Sequence, residues 1–101
     1  MSDSISFETE LKRVLWWLFV ATKGGATRMK IARFLSENPS NMNRICRDLG
    51  LNYRTVEHHI EVMRKNNLVM ASGDGYGKVY FLTPSAERGL KEIEKITYRR
   101  K

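Results

Sequence analysis

Near the start of the chain, Phe7, Leu11, Val14, Leu15, Leu18 and Phe19 fall three or four positions apart, the spacing that lines one face of a helix. The pattern predicts a helix from Ser6 to about Thr22. Gly24-Gly25 stops it, since glycine accepts the left-handed conformation that ends helices. Trp16, Trp17 and Val20 lie outside the stripe and make the apolar surface wider than one packed face requires. They either cover the domain's own core or bury a second face against a partner subunit. A second helix is expected from Arg28 to about Glu37, capped by Thr27, with Ile31, Phe34 and Leu35 inward. Asn38-Pro39-Ser40 breaks it, and Asn41-Met42 reads as a short extended piece.

The stretch from Asn43 to Leu68, NRICRDLGLNYRTVEHHIEVMRKNNL, then reads as two short helices joined by a tight turn. Asn43 caps the first of them, Arg44 to Leu49, which turns Ile45, Cys46 and Leu49 inward. Gly50 makes the turn and Leu51 plugs the corner. Asn52 caps the next helix, Tyr53 to about Asn66, whose Val56, Ile60 and Met63 form one buried edge. Two strands are expected at Leu68–Ser72 and Lys78–Thr83, around the glycine-rich loop Gly73–Gly77. Thr83-Pro84 opens a last helix to about Thr97, with Ala86, Leu90, Ile93 and Ile96 or Thr97 apolar, and Tyr98–Lys101 is a frayed basic tail. The fold class is therefore mainly α with a small β-hairpin, in the order α-α-(β)-α-α-β-β-α, within a single domain spanning 1–101.

Charge sharpens this picture. A net charge of +7 and a pI of about 9.9 favour an anionic partner, nucleic acid first and a membrane surface second. The excess is uneven. Met1–Thr22 carries a net −1, whereas Lys23–Arg54 holds Lys23, Arg28, Lys30, Arg33, Arg44, Arg47 and Arg54 against Glu37 and Asp48. The basic block thus leads into the helix that starts at Tyr53. Cys46 is the one cysteine, so no intramolecular disulfide can form, and an intracellular setting is expected. The apolar run Val14–Ala21 is far shorter than the about 20 residues a membrane span needs, and no targeting segment is read. A cytoplasmic, nucleoid-associated location follows as an expectation.

With Val56, Ile60 and Met63 facing the core, the opposite side of their helix presents Tyr53, Arg54, Glu57, His58 and Glu61. A helix fits the DNA major groove, and its first two turns reach the base edges. Arg54 suits a bidentate guanine contact, Tyr53 a phosphate or a thymine methyl, and His58 a base or phosphate. Glu57 either selects cytosine and orients Arg54 or is a solvated helix charge. Asn52, Thr55 and the free N–H groups at the helix start suit a phosphate. Arg44 and Arg47 could clamp the backbone beside the groove, and Arg28 and Lys30 either do likewise or are solvated. Lys78 and the Gly73–Gly77 loop would follow the adjacent minor groove, and Tyr76 at the loop tip is either a phosphate contact or an idle aromatic. No catalytic residue is assigned: no Ser/His/Asp or Cys/His set emerges, and the glycines at 73–77 lie in a hairpin rather than before a helix. No cofactor is expected.

Taken together, Thr27-Arg28-x-x-Ile31, Leu49-Gly50-Leu51-Asn52, Thr55-Val56-x-x-His59-Ile60, Asn67-Leu68-Val69 and Tyr80-x-Leu82-Thr83 resemble the winged helix-turn-helix fold. In particular they resemble ArsR-type transcription regulators and their archaeal relatives. The resemblance covers roughly Gly24 to Leu90, and Asn52 stands where the family often has serine or aspartate. It implies a sequence-specific regulator of double-stranded DNA, with the helix 53–66 in the major groove. It further implies a homodimer on an inverted repeat, joined through the first helix (about 6–22) and the last (about 84–97). Leu11, Trp16, Trp17, Val20, Leu90 and Ile93 are the candidate interface residues. Metal-sensing relatives commonly use closely spaced cysteines or His/Asp sets on the last helix. Cys46 is solitary, His58 and His59 point in different directions, and no metal site is expected. Two other readings remain at this point: a winged-helix protein-interaction module and a non-specific chromatin protein.

Overall fold

The computed structural model describes residues 2–99, without the side chains of 2–8, 76 and 97–99. The expectations placed on the side chains of Phe7, Tyr76 and Thr97, and on the tail residues Arg100 and Lys101, fall outside the described residues. Five helices and one hairpin follow in order: α1 Ser2–Trp16, continued by a π-helical turn Trp17–Ala21, α2 Gly25–Glu37, α3 Met42–Leu49, α4 Tyr53–Lys65, β1 Val69–Ser72, β2 Val79–Leu82 and α5 Pro84–Arg99. This is a mainly α-helical bundle with a small antiparallel β-hairpin wing, the winged helix-turn-helix topology.

The helices lie where the apolar periodicity puts them, and their inward residues close one core. Leu15, Leu18 and Phe19 meet Ile31, Ala32 and Leu35 of α2, Ile45 of α3, Val56, Ile60 and Met63 of α4, and Ala86, Leu90 and Ile93 of α5 in a single cluster. α2 is the hub of the packing, touching the π turn, β2, α3 and α5. The first helix ends at Ala21 with Thr22 extended, not at a left-handed glycine: Gly24 has φ −84° and precedes α2, of which Gly25 is the first residue. The requirement is space. α2 turns back so tightly that a Cβ on Gly25 would lie 2.7 Å from the Phe19 carbonyl oxygen.

Several boundaries differ from the sequence reading. The first helix starts at Ser2 rather than Ser6, both strands are shorter than expected, and α5 runs on to Arg99, so Tyr98 and Arg99 are helical where a frayed tail was expected. α2 starts at Gly25, not after Thr27, and its N-cap Gly24 offers no side-chain bond. α3 starts at Met42, where Asn41 rather than Asn43 is the cap, its Oδ1 accepting from the Arg44 N–H at 2.8 Å. The extended piece expected at Asn41-Met42 is accordingly one step earlier, where Ser40 exchanges two backbone hydrogen bonds with Tyr80 of β2. Polar residues such as Asn41 and Asn43 can each cap, so the choice falls to whichever the Ser40 bridge leaves with extended backbone.

Beyond α4, Asn67 takes a left-handed φ of 58° and lets the Leu68 N–H return to the Met63 carbonyl at 2.8 Å. Thr83 then ties both ends of the wing: its hydroxyl donates to the Asn67 carbonyl at 2.9 Å and accepts from the Ala86 N–H at 3.2 Å, capping α5. The strand register runs from Val69↔Leu82 to Ser72↔Val79.

α5 crosses α1 at Gly89, where a Cβ would overlap Leu15 Cδ1 and sit 3.2 Å from Leu15 Cγ. Leu15 is 1% exposed, so its side chain would have to shift within the packed core. Gly89→Ala, which at an open helical position stabilises by up to about 1 kcal/mol, is therefore expected here to destabilise by about 1–3 kcal/mol through overpacking. Thermal or urea unfolding checks this, and in a Leu15→Ala background the penalty should vanish.

Candidate nucleic-acid interface

The pair α3–α4 is set by local chemistry. Gly50 closes α3 in a left-handed conformation at φ 65°, a backbone shape that disfavours any side chain although the space around it is open. That turn lets the Leu51 N–H reach the Cys46 carbonyl at 3.0 Å. Asn52 Oδ1 then accepts from the Arg54 N–H at 2.8 Å and caps α4. Val56, Ile60 and Met63 are each at most 2% exposed, so the helix is held along one edge.

The opposite edge is open. Tyr53, Arg54, Thr55, Glu57, His58 and Glu61 are all exposed. Among the described residues Arg54 enters no ion pair, and Glu57 pairs with no cation. The first turn of α4 therefore presents an uncompensated guanidinium beside free backbone N–H groups, a disposition that attracts phosphate and base acceptors alike. On α3, Arg44 and Arg47 are exposed but share one carboxylate, Asp48, at 3.4 and 3.3 Å. Arg44 also lies over the Phe34 ring, 5.9 Å from its centroid. Exposed pairs of this kind are weak, on the order of 1 kcal/mol or less, and yield to a better anion. Lys78 and Gly75 of the wing line one cleft with Met42 and Asn43 of α3, Tyr53 of α4 and Tyr80 of β2, so wing and helix share a continuous face.

Arg28 departs from the sequence reading. Neither a phosphate contact nor solvated, it is 6% exposed. Its Nε donates to the Leu18 carbonyl at 2.7 Å, its Nη1 to His59 Nδ1 at 3.1 Å, and its Nη2 to the Thr22 hydroxyl. Burial lowers its pKa, yet a guanidinium stays protonated in proteins. The signal was in the pattern, because Arg28 precedes Ile31, Ala32 and Leu35 at helical spacing on the inward face of α2. His59 is likewise buried, and burial, then Arg28, then His58 hold its imidazole below the usual range. Lys30 is exposed. Cys46 is half-buried, and desolvation pushes its thiol up, away from thiolate reactivity. Among the described residues no group of three or more His, Cys, Asp or Glu side chains could hold a metal ion, and no helix is long and apolar enough to cross a membrane.

The residues expected at a subunit interface divide. Leu90 and Ile93 are 3% and 5% exposed and belong to the chain's own core, with Leu11 half-buried against it. Trp17 is 62% exposed, Val20 38% and Trp16 36%, and Ile96 of α5, absent from the sequence-based set, is 46% exposed. Trp16, Trp17, Leu15, Ile93 and Ile96 line an apolar cleft between α1 and α5.

Known proteins place this geometry. Residues 25–71 match the family model for bacterial regulatory proteins of the arsR family. No curated protein matches the chain by sequence. Among solved structures, the chain is similar to a homodimeric winged helix-turn-helix DNA-binding domain from Mycobacterium bovis, with TM-score 0.72 and 14% identity over 98% of this chain and 86% of that one. It is similar to a predicted DNA-binding transcriptional regulator from E. coli, with TM-score 0.72 and 17% identity over 93% and 97% of the two chains. A Staphylococcus aureus MarR in complex with salicylate and kanamycin matches with TM-score 0.62 and 16% identity over 72% of this chain. The chain spans only about half (54%) of that MarR's length. The fold is thus an ArsR-like winged helix-turn-helix.

The cap at the start of α4 gives a direct test. Asn52→Ala should lower stability by about 1 kcal/mol, whereas Asn52→Asp should retain it, as read by urea unfolding in the absence of DNA.

Proposed function

We propose that this chain is a sequence-specific, double-stranded DNA-binding transcription regulator that acts as a homodimer and not as an enzyme. The observation that carries the reading is the first turn of α4. Its inner edge is locked by Val56, Ile60 and Met63, while its outer edge offers Arg54 without any carboxylate partner among the described residues. In this reading α4 enters the major groove. Arg54 meets a guanine, and Tyr53, Thr55 and His58 meet bases or phosphates. Glu57 discriminates at cytosine. Asn52 shapes the helix start that approaches the backbone, and Arg44, Arg47 and Lys78 grip phosphates on either side.

The partner for the exposed Trp17, Trp16, Val20 and Ile96 is a second copy of the chain, with Leu11 at its margin and Leu90 and Ile93 supporting the surface from beneath. Twofold pairing through α1 and α5 suits an inverted repeat, with recognition helices about 34 Å apart on successive major grooves. The family match over the helix-turn-helix and the homodimeric state named for the Mycobacterium bovis domain favour the same assignment.

Selection of bound duplexes from a random pool tests the reading. A regulator recovers a two-part inverted repeat whose affinity falls steeply with salt, as counterion release requires. Recovery of no consensus, with binding to every duplex alike, would leave a non-specific chromatin protein, and no binding at low salt an interaction module. On the selected site, Arg54→Ala should cost about 1–3 kcal/mol and relax preference at one position of each half-site. An equal loss on all sequences would remove its base-reading role. Trp17→Glu should give a monomer by analytical ultracentrifugation and lose tight binding to the repeat. A dimer persisting at micromolar concentration would remove α1 from the interface.

A further inference from the structure

The π turn at Trp17–Ala21 has a consequence for the recognition helix. In an α-helical register the Thr22 N–H would bond the Leu18 carbonyl. Here it bonds Trp17 instead, at 3.2 Å, and the Leu18 carbonyl is released to accept from Arg28 Nε at 2.7 Å. The same guanidinium reaches Thr22 on the turn and His59 on α4. One buried side chain on α2 thus joins the end of the first helix, which carries the exposed Trp17, to the middle of α4. The link Gly24 is packed onto the junction, since a Cβ there would sit 2.8 Å from Arg28 Nη1 and 2.9 Å from His59 Cε1.

We propose that Arg28 is a positioning residue for the recognition helix: acting through His59, it ties α4 to the π turn of the first helix, and a proton on His59 releases that tie. The functional consequence rests on the reading of α4 as the DNA-reading helix; the tie itself does not. The contact requires a lone pair on His59 Nδ1, so the neutral ring must carry its proton on Nε2. Protonation removes the acceptor and sets an imidazolium against a guanidinium in a largely buried site. The charged and titratable groups acting on His59 are Arg28 from α2 and His58 from its own helix, whose ring centroid is 5.2 Å away. The π turn and the link bring the uncharged Leu18 carbonyl, Thr22 hydroxyl and Gly24 to the junction, and the link's Lys23 is exposed to solvent. No carboxylate among the described residues offsets the added charge.

The folded protein thus prefers the neutral ring. Its contribution to stability is whole above the ordinary imidazole value of about 6.5 and is lost as pH falls through that value and on through the lower folded one. Acidification should loosen the junction between the first helix and α4 before it unfolds the chain.

The experiment uses full-length protein carrying His58→Gln, which leaves His59 as the one titrating imidazole, and compares it with the same protein carrying His59→Gln as well. The glutamine oxygen can accept from Arg28 but does not titrate. Amide chemical shifts recorded by NMR from pH 7.5 to 5 should move together at Leu18, Thr22 and along Val56–Met63, with one midpoint below about 6.5. They should stay still in the His59→Gln protein. Affinity for a duplex selected from a random pool should fall at least about fivefold between pH 7.5 and 5.5 at constant salt, the lower range of coupling between sites. That fall should be absent with His59→Gln. Should the His59→Gln protein not fold, Arg28→Lys serves in its place, because one ammonium cannot span three acceptors, and the response at Leu18 and Thr22 should collapse.

A His59 that titrates with no response at Leu18 and Thr22 overturns the proposal, as does an affinity profile that His59→Gln leaves unchanged. Coupled shifts with no duplex selected would keep the tie and remove the DNA reading instead.

Discussion

A guanidinium taken out of water must find partners for its donors or the fold does not close around it, because an unpaired buried charge destabilises by several kcal/mol. Arg28 meets this condition with a carbonyl, a hydroxyl and an imidazole rather than a carboxylate. Much of the local architecture follows from that choice. The π turn frees the Leu18 carbonyl, and Gly24 and Gly25 supply the room for α2 to fold back beside it. His59, on a helix whose other face is devoted to solvent, turns inward as an acceptor. Among the described residues no buried side-chain nitrogen or oxygen is left without a partner. Such a site adds little net stability compared with an apolar one, and its value lies in permitting one arrangement of the first helix, α2 and α4.

Around this junction, α3 and α4 are built by short-range chemistry. Asn41, Gly50 and Asn52 start and stop the two helices within a few residues of each other, and Thr83 ties the wing back to the end of α4. With the backbone groups satisfied locally and the apolar edge buried, the outward side chains at the start of α4, Tyr53, Arg54, Glu57 and His58, take no part in the core, and Glu61 pairs with Arg64 of the same helix. Division of labour between its edges is the physical basis for assigning recognition there. The charges beside it are unequal: Arg54 is uncompensated, whereas Arg44 and Arg47 share Asp48. In the proposed reading, a phosphate at α3 would have to displace an internal contact, while α4 would accept a partner directly.

The apolar surface of the first helix belongs to the same logic. Leu15, Leu18 and Phe19 face the core and leave Trp16, Trp17 and Val20 outside it. Because the π turn that bears Trp17 also receives Arg28, the proposed partner on that surface and the proposed duplex on α4 would act on elements joined through one side chain. Energetic coupling between them needs no longer path than this.

The sequence by itself determined the number and order of the five α-helices and the two strands of the wing, since these follow from apolar spacing and from short-range signals such as Gly50, Asn52 and Thr83-Pro84, but not the π turn at Trp17–Ala21. It also determined which side of α4 is buried, because Val56, Ile60 and Met63 admit only one orientation. Choices among equivalent local signals lay beyond it: Asn41 rather than Asn43 as cap, and close packing rather than a left-handed turn at Gly24-Gly25. Surface and core could not be told apart for Leu90 and Ile93, whose burial depends on how α5 crosses α1 at Gly89. Helical spacing already put Arg28 on the inward face of α2, but only the tertiary structure decided which groups it and His59 would meet. A charge reads as solvated until the fold shows that a carbonyl, a hydroxyl and an imidazole, 10, 6 and 31 positions away along the chain, have been brought to its three nitrogens.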